Sequence, residues 1–107
     1  LKNLFQLRDQ PKNSKQIYDT LIITVKNKRI RKKIVSILNK EKFGTKNLPD
    51  AIKWHCAYFW NHALPKKQIL RIKDTKIKLE NSIAIPIWLR KSKKDYDILG
   101  KKLSKCL

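Results

Sequence analysis

Methionine is absent from this chain of 107 residues, glycine and cysteine occur twice each, and only eight acidic residues accompany 27 Lys and Arg. Each shortage removes a class of protein. Two glycines leave no room for a glycine-rich phosphate loop. Two cysteines, Cys56 and Cys106, cannot build a disulfide-dense secreted scaffold or a four-thiolate zinc site. No apolar run approaches the ~18 residues of a membrane-spanning helix. No repeat is visible, and no low-complexity segment beyond a bias to lysine. What these exclusions leave is one small intracellular domain, with no membrane span, no metal centre and no cofactor motif.

The formal net charge is +19, with 41% hydrophobic and 33% charged residues. That apolar fraction is too high for wholesale disorder, and the charge is too one-sided for an ordinary monomer. Self-repulsion at this charge works against compactness, so the composition asks for a polyanionic partner. The basic residues are 22 Lys against 5 Arg, with 14 Ile and 7 Asn. AT-rich codons favour that set, as in the genome of an organelle, a parasite, a virus or an AT-rich microbe. With the missing methionine and an opening Leu1, which suggest a removed leader or a trimmed piece, it points to a mitochondrion or other organelle, and otherwise to the cytoplasm. Codon bias accounts for Lys over Arg but not for the shortage of acids.

Along the chain, residues 1–13 read as an arm with an apolar anchor at Leu4, Phe5 and Leu7, ending at Pro11. Residues 14–88 read as one small domain and 89–107 as a basic tail. From Ser14, the positions Ile17, Tyr18, Leu21, Ile22 and Val25 repeat at helical intervals, although β-branched LIITV also suits a strand at 21–25. Asn27 offers a cap, and Ile30, Ile34, Val35, Ile37 and Leu38 continue at helical spacing to about Lys42, with Gly44 as a stop. Pro49 and Pro65 bracket a third helix over 49–64, burying Ile52, Cys56, Phe59 and Trp60. Alternation at Leu70/Ile72, Ile77/Leu79 and Ile83/Ile85/Ile87 then predicts a β-meander over about 68–88, with Pro86 confining its last strand to an edge. Tyr96, Leu99, Leu103 and Leu107 predict a C-terminal helix. The expected core is Ile17, Leu21, Ile34, Leu38, Ile52, Cys56, Phe59, Trp60, Leu70, Ile72, Ile77, Leu79, Ile83 and Ile85.

The expected fold is therefore α+β: three N-terminal helices, a small antiparallel β-meander and a C-terminal helix. That element order resembles the winged-helix DNA-binding domains, which implies a third helix entering the major groove. Here the third helix carries Asp50, Lys53, Trp54 and Asn61, rather than basic or amide residues at its start.

Phosphate is the ligand the charge pattern fits best. Cations cluster on one helix face (Lys28, Arg29, Arg31, Lys32, Lys33), along the expected meander (Lys66, Lys67, Arg71, Lys73, Lys76, Lys78) and in the tail (Arg90, Lys91, Lys93, Lys94, Lys101, Lys102, Lys105). Lysine is a mobile point charge suited to phosphate, whereas arginine forks read guanine edges. The balance favours binding of the nucleic-acid backbone over base readout. Trp54 and Tyr58, on the outward side of the third helix, suit base stacking, though aromatics at helical spacing more often pack into a core. His55 and His62 lie seven apart, not the four that a helical metal pair needs, and two turns is about 10 Å. A two-histidine acid/base pair across an RNA phosphate tolerates that distance, which keeps a small ribonuclease or toxin as a third reading. The leading expectation is a non-enzymatic, structural RNA-binding protein of a large ribonucleoprotein, specifically an organellar ribosomal protein. It would contact structured RNA and neighbouring proteins, with no membrane or small-molecule partner.

Overall fold

Asn27 sets the start of a 13-residue helix, α1 (Lys28–Lys40): its side chain accepts from the Ile30 backbone N–H at 3.0 Å. Ile34 and Leu38, one turn apart, are fully buried on its inner face. The helix ends at Lys40, close to the expected Lys42, and Gly44, the expected stop signal, is left-handed at φ 69°, as is Lys42 before it. Lys42 takes a left-handed φ of 60°, the Phe43 N–H donates back to the Leu38 carbonyl at 2.8 Å, and the Lys42 N–H donates to Asn39 at 3.1 Å. Phe43 then folds onto the core beside Leu38, the hydrophobic contact that accompanies this type of stop.

The computed structural model describes residues 5–106, in the order β1 (Phe5–Leu7), β2 (Thr20–Val25), α1, α2 (Ile52–His55), a 3-10 turn (Ala57–Phe59), α3 (Lys66–Leu70), α4 (Lys73–Glu80), β3 (Ser82–Pro86) and α5 (Lys93–Ser104). This is a mixed α/β fold around one three-stranded antiparallel sheet of order β1-β2-β3. It overturns the expected three helices followed by a meander. Two strands precede the first helix, and the last strand pairs back with β2 across the whole intervening chain.

Each departure has a local cause. In the segment LIITV the β-branched side chains favour the strand, so residues 8–19 become a loop and Ile17 is 89% exposed rather than core. The aromatic run after Pro49 is made of weak helix formers. Cys56, buried and extended, separates α2 from the 3-10 turn, so no helix spans 49–64. The supposed first strands of the meander are α3 and α4. Ile69, Ile72, Lys76, Leu79 and Glu80 are the covered positions there, a stripe at helical spacing that two charged residues conceal from a hydrophobicity reading. Leu70 and Ile77, expected in the core, are exposed.

Sheet register fixes the core. Phe5 faces Val25, Leu21 faces Ile85 and Ile23 faces Ile83, all on one side of the sheet. Over that side lie α1 and α5, giving a cluster of Ile23, Val25, Ile34, Leu38, Phe43, Ile83, Ile85 and Leu99. On the other side Leu48 and the end of α4 border Ile22, Thr24 and Ser82. The Thr24 and Ser82 hydroxyls lie 2.9 Å apart, and Ser82 donates to the Lys78 carbonyl at 2.7 Å. Pro86 does end an edge strand, and the outer side of β3 is closed at Ala84, which accepts from the Lys46 N–H and donates to the Leu48 carbonyl.

A strap after β3 docks α5. Trp88 Nε1–H donates to the Phe43 carbonyl at 2.9 Å, the Trp88 N–H donates to the Tyr96 hydroxyl at 2.8 Å, and that hydroxyl donates to the Pro86 carbonyl at 3.2 Å. Ser92 and Asp95 then form a reciprocal cap at the start of α5. The core is thin for the chain it serves. The accessible surface is 8559 Å², against about 6200 Å² for a compact monomer of this mass.

The left-handed Lys42 is a testable feature. Lys42→Gly relieves the Cβ strain of that conformation and should stabilise the fold by about 0.5–1 kcal/mol. The check is a urea midpoint that rises at unchanged slope.

Candidate nucleic-acid interface

Acidic side chains are few, and five of the eight are engaged with other parts of the fold. Glu80, at the end of α4, lies 3.0 Å from Lys28 and 3.5 Å from Lys76, and so ties α4 to the start of α1. Glu41, just past α1, pairs with Lys102 of α5, while Lys91 donates to the Glu41 carbonyl at 3.3 Å. Asp19 pairs with Lys46 and holds the loop before β2 against the segment after α1. Asp50 accepts from Thr45 at 2.6 Å, and Asp95 serves the α5 cap. Lys28 holds the Glu80 carboxyl below its ordinary range, Lys46 does the same for Asp19, and the Ser92 backbone N–H for Asp95.

This arrangement leaves one face of α1 without an anion. No acid occurs between Lys28 and Lys40, and Arg29, Lys32, Lys33 and Lys40 are exposed on the side opposite Ile34 and Leu38. They span about 16 Å of helix, enough to follow several phosphates of one strand. Lys28 and Arg31, expected with them, are instead turned toward Glu80. Burial lowers the Arg31 pKa, Glu80 partly offsets this, and its Nη1 is buried without a hydrogen-bond partner among the described residues.

The other expected cations separate into exposed and engaged. Lys66, Lys67, Arg71, Lys73 and Lys78 are exposed, but on α3, α4 and the turn between them rather than on strands. Lys76 sits 4.9 Å from the Tyr58 ring centroid as well as near Glu80. In the tail, Arg90 lies over the Trp88 ring at 4.8 Å and Lys91 over Phe43 at 4.4 Å. Lys93, Lys94, Lys101 and Lys105 are exposed, and Lys102 is held by Glu41. Because Glu41 joins the two helices, the exposed cations of α1 and α5 belong to one helical layer outside the core. The sequence reading missed the joint-forming role of Glu41 and Glu80. For Glu80 the signal was its place in the helical stripe of α4.

The aromatic pair divides. Trp54 is 81% exposed on α2, whereas Tyr58 is half-buried, edge-on to Phe59 at 5.6 Å and covered by Lys76. His55 ends α2 and His62 lies in a turn beyond the 3-10 segment. Both are exposed, and the continuous helix that would have aligned them is absent. Among the described residues no three His, Cys, Asp or Glu side chains gather as a metal site, and Cys56 and Cys106 are free thiols. No family model, curated protein or solved structure matches the chain.

The Glu80 joint should show in acid. Its carboxyl titrates lower in the folded chain than in the unfolded one, so its stabilisation is complete above about pH 4.3 and is lost as pH falls through the lower folded-state value. Glu80→Gln should be less stable at neutral pH and should lose less further stability on acidification. Urea midpoints across the acid range check this, and parallel curves for the two proteins would contradict it.

Proposed function

We propose that this chain is a structural RNA-binding protein, held to the phosphate backbone of a folded RNA within a large ribonucleoprotein. One observation carries the reading: the outer face of α1 presents Arg29, Lys32, Lys33 and Lys40 with no acid on the helix, next to the exposed lysines of α5. Glu41 and Glu80, the acids beside the two ends of α1, are paired with Lys102 and with Lys28 and Lys76. Phosphates placed along it release counterions, and lysine supplies this without demanding a base sequence. Exposed Trp54, with Lys53 beside it on α2, provides a stacking surface for an unpaired base.

A thin core and a surface larger than that of a compact monomer suit a protein that completes its environment against RNA and neighbouring proteins. Within this reading the chain is a binder rather than an enzyme and takes no cofactor. The finer assignment is an organellar ribosomal protein, supported by the lysine, isoleucine and asparagine bias of the sequence. The winged-helix comparison loses its support, because the element order on which it rested is not the order of this fold.

Fluorescence anisotropy with a folded RNA hairpin and a DNA duplex of equal length, titrated with salt, tests the proposal. RNA should bind more tightly, with a steep fall in affinity as salt rises. Combined alanine substitution of Arg29, Lys32, Lys33 and Lys40 should flatten the log–log slope by about 3. Tighter, sequence-dependent binding of the duplex would overturn it, as would a slope unchanged in the variant. Co-sedimentation of the native protein with a ribosomal particle tests the finer assignment.

A further inference from the structure

Register brings the start of β2 beside the end of β3. Leu21 pairs with Ile85, and the Ile87 N–H donates to the Asp19 carbonyl at 2.9 Å. At this end of the sheet apolar side chains stay in water: Leu21 is 44% and Ile87 38% exposed, and Ile17 and Leu89 stand clear of the surface. Helix α5 runs alongside, and between sheet and helix lies a groove of ≈ 400 Å³. Leu21, Ile85 and Ile87 form one wall, and Leu99, Gly100 and Leu103 the other. Tyr96 also lines it, but its hydroxyl is already engaged with Pro86 and Trp88.

Gly100 marks the groove as more than a packing gap. A glycine inside a helix weakens it relative to alanine, and here neither backbone nor packing asks for one. Its φ is not positive, and a Cβ added there meets nothing within 4 Å. What the missing side chain leaves is open space along the α5 wall.

We propose that this groove receives aliphatic side chains of an acidic, amphipathic segment from a neighbouring protein. The lining chooses hydrocarbon. A nucleobase placed there would bury ring donors and acceptors with no free partner. The surroundings choose the sign of charge. Lys101, next to Gly100 in sequence, and Lys93, two turns before it, are exposed, with Asp95, held in the α5 cap, and Asp97 between them, on a chain of net charge +19. A second copy of this chain would bring like charge to like. The pattern is that of helix-in-groove recognition, with apolar anchors at helical spacing and acids flanking them. The inference is independent of RNA binding by α1 and gives a protein neighbour a place on the fold and a chemistry.

Methyl NMR of the full chain with two synthetic peptides tests it. One carries leucines at helical spacing flanked by glutamates, and the other is identical but with serine for every leucine. The leucine peptide should shift the methyls of Leu21, Ile85, Ile87 and Leu103, and the serine peptide should not. Gly100→Leu, which fills open space, should weaken the leucine peptide by about tenfold or more, while Gly100→Ala keeps the affinity within about twofold. Both variants should retain the wild-type salt slope for RNA, which separates failure of this proposal from failure of the RNA reading. Equal response to the two peptides, or a response that survives Gly100→Leu, would overturn the proposal. So would self-association lost in Gly100→Leu, which identifies a second copy as occupant, or movement of the same methyls on addition of the RNA hairpin.

Discussion

Residues 20–24 pair with residues 82–86, and from this ladder the rest of the molecule takes its positions. It sets Ile23 against Ile83 beneath α1 and α5, supplying the centre of a core that neither strand could form alone. It also brings the end of α4 to the start of α1, where Glu80 meets Lys28, and leaves Leu21 beside Ile85 at the lip of the apolar groove. Pairing between segments so far apart in sequence must overcome the entropy of closing the long intervening loop. The fully buried side chains of Ile34, Leu38 and Ile83 are the main visible return.

Charge is arranged as a division of labour. Five of the eight carboxylates, Asp19, Glu41, Asp50, Glu80 and Asp95, are held beside a lysine, a hydroxyl or a helix cap. Where cations must stay free, as on the outer face of α1, the helix itself carries no carboxylate, and Glu41 just past it is paired with Lys102. Isolated surface ion pairs contribute little to stability. The value of these joints lies more in fixing which way α1 and α5 face than in holding the fold together.

The proposed RNA face and the proposed protein groove draw on different chemistry. The first depends on long-range charge and weakens with salt. The second depends on apolar contact and on an absent side chain at Gly100. A protein embedded between RNA and protein neighbours needs both kinds of surface, and a small domain can carry them because its core occupies little more than one side of one sheet.

By itself the sequence determined the excess of positive charge, the lack of a glycine loop or thiolate cluster, and the helical character of 28–40 and 93–104, where Asn27 and the three-and-four spacing of apolar residues act locally. It also held both answers for LIITV. Only tertiary structure decided that this segment is a strand, because a strand needs a partner and the partner, β3, lies far along the chain. The same holds for α3 and α4, whose half-covered stripe includes Lys76 and Glu80 and becomes recognisable only once Lys28 and Tyr58 are in place beside them. Which lysines remain free was likewise settled by contact: Lys28 and Arg31 share a helix with Arg29 and Lys32, yet one pair turns to a carboxylate and the other to solvent.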